Sequence, residues 1–219
     1  MKNLPFIKKF DLFSLLKYLD RCQDTCMEEM FLMENRNQAT KLTITALLMA
    51  IAIIIPVIMP VKVVIGPASY TLASHVPIFI AMFFSPSIAV MVTLGATVGF
   101  FIGGFPIVIV LRALSQVLFA YIGAKILEKN QNEILGSFQK SQLFSLAMGL
   151  IHALGEMIVV SLFFFGFIGV TDTSNGFFYT VFLLVGVGTL IHSLVDFLIA
   201  QYIWKAQESR LTPMKLKIT

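Results

Sequence analysis

Apolar residues in this chain run in long blocks rather than recurring at the spacing of an amphipathic surface helix. Six blocks stand out, at about 42–59, 72–84, 87–102, 106–127, 142–167 and 177–204. A straight helix needs about 20 residues to cross the hydrocarbon of a bilayer. The blocks therefore predict an all-α integral membrane protein with six transmembrane helices. The second and third blocks are short, so tilt or shielding by neighbours is expected of them. Ser85-Pro86-Ser87 predicts the turn between them, with proline at a favoured helix-starting position, and Gly103-Gly104-Phe105-Pro106 predicts the next turn.

Composition supports this reading. Of 219 residues, 58% are hydrophobic and 13% charged, against roughly half and a quarter in a soluble domain. The placement of Lys and Arg sets orientation, because cytoplasmic loops carry the excess. With the N-terminus inside, fourteen of the sixteen fall on inside segments. Outside there is only Lys62, and Arg112 lies within a span. Both termini are thus expected in the cytoplasm. The organisation predicted is a cytoplasmic leader at 1–40, a six-helix membrane domain at 41–204 and a cytoplasmic tail at 205–219.

Residues 1–32 are polar and mixed in charge. Met33-Glu34-Asn35-Arg36 reads as a natural start for a six-span protein, and glutamate codons at Glu28-Glu29 resemble a ribosome-binding site. Met33 is therefore the expected native start. Intact mass of the native protein distinguishes it from Met1. No cleavable signal is recognisable, and the charge of +4 is spread over loops rather than gathered for nucleic acid. Cys22 and Cys26 give no disulfide framework and no metal-ligand spacing. Enzyme signatures are missing: there is no His-Glu-x-x-His, no Gly-x-Ser-x-Gly and no phosphate-binding loop to hydrolyse ATP. Nothing in the sequence asks for a cofactor.

Two stretches nearly repeat: Leu150-Ile151-His152-Ala153-Leu154-Gly155-Glu156 and Leu190-Ile191-His192-Ser193-Leu194-Val195-Asp196. Each sets a histidine and a carboxylate four residues apart, on one face of a helix. An ionisable group in hydrocarbon costs about 2.5–3.5 kcal/mol or more and needs a partner or a task. If the fifth and sixth spans touch, Glu156 falls level with His192, and His152 with Asp196. That predicts a crossed structural seam, with Glu156 placed high enough to reach a ligand as well.

Two intramembrane groups are left, His75 and Arg112, both within roughly 10 Å of the outer side by helix rise. No acidic residue is level with Arg112 except Asp172 in a loop. Two readings stand: Arg112 snorkels to outer headgroups, or its five-donor fork joins His75 in an outward pocket for a small anion. The connector 62–70 is broken by Gly66-Pro67 and reads either as an ordinary loop or as a mobile lid over a binding mouth. Ala46 and Ala50 give the first span a small-residue face suited to close helix approach.

The runs Ile65-Gly66-Pro67-Ala68-Ser69-Tyr70-Thr71-Leu72-Ala73-Ser74-His75-Val76-Pro77 and Gly103-Gly104-Phe105-Pro106 leading to Leu111-Arg112-Ala113, with Ala46-x-x-x-Ala50, resemble the substrate-binding S components of energy-coupling factor vitamin importers. The likeness covers about 41–204. It is nearest to the niacin type, with the pantothenate type next; a self-sufficient permease is the rival reading. The resemblance implies capture of one vitamin near the outer side beneath the first outer loop. It also implies docking of Ala46 and Ala50 on a transmembrane coupling subunit driven by two cytoplasmic ATPases. Depth and chemistry suggest Tyr70, His75, Phe101, Arg112 and Glu156 as the pocket, with Tyr70 or Phe101 stacking on a pyridine ring. On this reading Arg112→Ala abolishes substrate binding and leaves the fold intact.

Overall fold

The computed structural model describes residues 34, 37–169, 174–208 and 210. The expectations for residues 1–32 and for most of the tail lie outside them. The chain divides into two units, Met1–Ala39 and Thr40–Thr219. In the first, Gln38 Nε2 donates to Glu34 Oε1 one helical turn back, at 3.4 Å.

The order of elements is mostly helical. Helix α1 (Asn37–Ile58) is followed by a hairpin, β1 (Lys62–Ile65) and β2 (Ala68–Thr71), then α2 (Val76–Phe84), α3 (Pro86–Ile102), α4 (Ile107–Gly136) and α5 (Phe138–Phe164). A π-helical segment, Phe178–Val187, runs without a break into α6 (Gly188–Ala206). Among the described residues, four rods are long and apolar enough to cross a membrane: α1, α4, α5 and the joined Phe178–Ala206 helix. Helix α3 has 17 residues and α2 only nine.

The predicted second span is corrected here. It is expected from residue 72, but residues 72–75 are a turn and the helix begins at Val76; the connector before it, 62–71, pairs as an antiparallel hairpin, Lys62 opposite Thr71 and Ile65 opposite Ala68. Its turn uses Gly66 at φ +54, a conformation open to glycine. Residues 72–75 form a turn, with Ala73 at φ +65. The Asp196 carboxylate binds the N–H groups of Ala73 and His75, at 3.0 and 2.9 Å, and so fixes the first turn of α2. An apolar run does not reveal an anchor 121 residues away.

Helix α2 lies along the second half of α6 and runs in the same direction. His75 meets Asp196 at its start, and Phe83 and Phe84 meet Trp204 at its end, with ring centres at 5.2 and 5.3 Å. Eight of its nine residues are buried. Because α2 is so short, the polar turn 72–75 enters the bundle partway along α6 and leaves room above it.

Two apolar cores flank that room. One gathers Phe79, Phe83, Phe119, Met148, Phe197 and Trp204. The other gathers Phe100, Val108, Ile109, Val160, Phe163 and Val185. Helices α1 and α3 approach closely where a Cβ on Gly99 would meet Ile53 Cα at 2.7 Å, the small-residue contact favoured between membrane helices. Ala52 of α1 is buried, while Ala46 and Ala50 lie on its exposed face.

Candidate functional site

Polar residues converge in the gap above α2. The hairpin supplies Ser69 and Tyr70, and the turn supplies Ser74 and His75. Helix α4 carries Arg112 and Gln116, α5 carries Glu156, and α6 carries Thr189 and His192. Together with Phe100, Ile109 and Ala113 they line a small, closed-down cavity with enclosed room for about one water molecule.

Glu156 is the hub. Its Oε2 accepts from Arg112 Nη2 at 2.6 Å, Arg112 Nε at 3.2 Å and the Thr189 hydroxyl at 2.5 Å. Its Oε1 takes Gln116 Nε2 and pairs with His152 Nε2, both at 3.2 Å. Arg112 spends its remaining arm on the hairpin, Nη1 donating to the Pro67 carbonyl at 2.6 Å. Arg112 and Glu156 are both nearly fully buried. Two guanidinium donors converge on one carboxylate oxygen while other groups satisfy the second, and a hydrogen-bonded ion pair of this kind compensates such burial.

Asp196 is the second hub. Besides the two backbone N–H groups, its Oδ2 lies 3.1 Å from His75 Nδ1 and 3.4 Å from His192 Nε2. Ser74 Oγ bridges the same two rings, at 3.4 Å from His75 Nδ1 and 3.2 Å from His192 Nε2. The carboxylate also faces the start of α2, where helix N–H groups favour an anion. His75, His192 and Asp196 are the one group of three His, Cys, Asp or Glu side chains among the described residues placed to hold a metal ion.

Tyr70 keys the hairpin to the π-helical segment. Its hydroxyl donates to the Leu184 carbonyl. A Cβ at Gly188 would lie 2.6 Å from Tyr70 Cζ, so glycine is what admits the ring. Burial pushes the Tyr70 phenol up to about 12, so it is a neutral donor at physiological pH.

Three expectations change. The crossed seam is not formed. Each carboxylate pairs instead with the histidine one turn before it on its own helix, and takes its stronger partner from elsewhere: Arg112 for Glu156 and His75 for Asp196. Arg112 does have a level acid. Depth counted by residue left out the reach of its side chain; the π-helical stretch, in which bonds span i to i+5, alters the register of α6 and so of the expected seam instead. Phe101 points away from the cavity and is 67% exposed; the ring on the cavity wall is Phe100.

The structure brings Tyr70, His75, Arg112 and Glu156 to one cavity, with His152 behind Glu156. Sequence reasoning passed over Ser74, Phe100, Gln116 and Thr189. Gln116 follows Arg112 by four residues and Thr189 precedes His192 by three. Helical spacing from a known charged residue was the signal that could have found both.

No family model matches the chain, and no solved structure matches it. A curated protein does: the niacin transporter NiaX of Lactococcus lactis subsp. cremoris (strain MG1363). Identity is 42% over 159 residues, covering 73% of this chain and 70% of NiaX.

The pairing of Arg112 with Glu156 revises the expected outcome for Arg112→Ala. Removing one partner of a buried pair costs about 3–5 kcal/mol, whereas replacing both with neutral groups of similar volume is close to neutral. Arg112→Ala should therefore lower the thermal midpoint in detergent. The double variant Arg112→Met, Glu156→Gln should recover most of that loss. Equal destabilisation of the two variants contradicts the pairing.

Proposed function

The chain belongs to the niacin transporter family, as a niacin-type S component and a multi-pass protein of the cell membrane, and from that premise we propose that it captures niacin from outside the cell in the cavity beneath the β1–β2 hairpin. The observation that carries the reading is the convergence of a buried guanidinium, two imidazoles and an aromatic wall on one small cavity. Niacin at neutral pH is a flat pyridine ring bearing a carboxylate. The carboxylate suits the Arg112 and His75 side of the cavity, and the ring suits the space between Phe100 and Tyr70. Glu156 and Thr189 act as positioning residues that hold the Arg112 fork in place. The Pro67 and Tyr70 bonds tie the hairpin down over the site, so entry of the vitamin requires the hairpin to lift.

In this account both termini are cytoplasmic and the helices make six crossings. Helix α2 is completed as a crossing by the turn and hairpin above it. As the resemblance to energy-coupling factor S components implies, the chain works with a transmembrane coupling subunit and two cytoplasmic ATPases. The docking face is the exposed side of α1 at Ala46 and Ala50, where a coupling helix can approach closely.

Calorimetry of the detergent-purified chain should show one nicotinate bound per chain and much weaker binding of nicotinamide, which lacks the carboxylate. Phe100→Ala should weaken nicotinate by about 3- to 10-fold, the value of one aromatic contact. Equal affinity for nicotinate and nicotinamide contradicts the anion site. Ala46→Trp or Ala50→Trp should prevent copurification with the coupling subunit while nicotinate binding is kept; normal copurification rules out that docking face.

A further inference from the structure

We propose that His75, His192 and Asp196, with Ser74 beside them, hold one divalent transition-metal ion on the floor of the cavity, of the class represented by zinc. Four donor atoms converge there. His75 Nδ1 to Asp196 Oδ2 is 3.1 Å, His192 Nε2 to Asp196 Oδ2 is 3.4 Å, Ser74 Oγ to His192 Nε2 is 3.2 Å and Ser74 Oγ to His75 Nδ1 is 3.4 Å. A tetrahedral ion with ligand bonds of ~2.0–2.1 Å needs donor–donor edges of about 3.3–3.4 Å. Four of the six edges are thus already near the required length. Each ring nitrogen faces two oxygens, yet a neutral or protonated ring nitrogen has only one hydrogen to give. An ion at the centre serves every one of these contacts at once.

The donor set matches the ion. Two imidazoles and one carboxylate suit zinc and its first-row neighbours and not magnesium or calcium, which take oxygen ligands. The carboxylate ligand is also oriented by backbone donors, as metal ligands usually are by a second set of hydrogen bonds. Asp196 Oδ1 takes the Ala73 N–H, and the His75 backbone N–H holds Oδ2. Asp196 is buried and His192 lies at the cavity edge, so one side of the ion would open to the cavity.

Charge accounting points the same way. Among the described residues, the charged groups of this cluster are Arg112, Glu156 and Asp196. These three sum to a single negative charge, the wrong sign for receiving an anion in an apolar bundle unless a cation joins them. A divalent ion reverses the sign, and one nicotinate then brings the cluster to neutrality. That last step rests on the niacin reading; the metal site itself does not.

The test uses full-length protein with no histidine tag, purified in detergent without chelator. Elemental analysis should find close to one zinc per chain. After chelator stripping, titration with Co²⁺ should give the visible absorption bands of a four-coordinate His/carboxylate site, saturating at one equivalent. His192→Gln should weaken Co²⁺ by at least about ten-fold, with unchanged elution on size exclusion as the check on folding. Adding nicotinate to the Co²⁺ protein should shift the bands. Absence of both stoichiometric zinc and cobalt bands in the unmodified protein overturns the proposal and leaves a hydrogen-bonded triad. Undiminished nicotinate binding by the metal-stripped protein overturns the charge-compensating role of the ion, and proton uptake on binding would identify protons as the compensating charge. Stoichiometric metal with no nicotinate binding upholds the site and removes the niacin reading.

Discussion

Two carboxylates buried in an apolar helical bundle set the terms for everything around them. Neither Glu156 nor Asp196 can stand unpaired there, since an uncompensated buried charge costs several kcal/mol. Glu156 is satisfied by donors from α4, α5 and α6. Asp196 is satisfied by the turn before α2 and by its own helix. These bonds join elements that apolar packing alone would leave free to slide. They also bring into one place the groups able to recognise a charged ligand.

The hairpin and the short helix α2 follow from the same constraint. Asp196 captures backbone N–H groups at residues 73 and 75, which stops the helix from starting earlier. The apolar stretch before it is then free to pair as β1 and β2, and Arg112 holds the turn of that pair through the Pro67 carbonyl. Arg112 therefore links the anchor of the site to its cover. On the proposed niacin reading, a ligand anion competing for this guanidinium would also loosen its hold on the hairpin.

Much of this was legible from the chain. Long apolar blocks gave the four long helices, and the glycine–proline turns fell where helices end. The two His-x-x-x-carboxylate motifs do form i,i+4 pairs on α5 and α6. The partner of each carboxylate was not legible, because Arg112–Glu156 and His75–Asp196 are separated by 44 and 121 residues. Counting depth by residue assumed uniform helices, which the π-helical stretch Phe178–Val187 violates. The connector 62–70 reads as a loop or a lid: Gly66-Pro67 marks its turn, but nothing in that dipeptide says that the flanking arms pair as strands. Phe100 and Phe101 differ only in which face of α3 they occupy, and sequence did not decide between them. Family membership came from similarity to NiaX over most of both chains, which local physics could suggest but not establish.

The central claim is that the cavity under the hairpin is a niacin site. Its most direct test is mass spectrometry of small molecules released on denaturing chain purified from niacin-supplied cells. Nicotinic acid should be released at close to one molecule per chain, and should be lost together with the Arg112 guanidinium. A different vitamin at that ratio, or no small molecule at all, would contradict it.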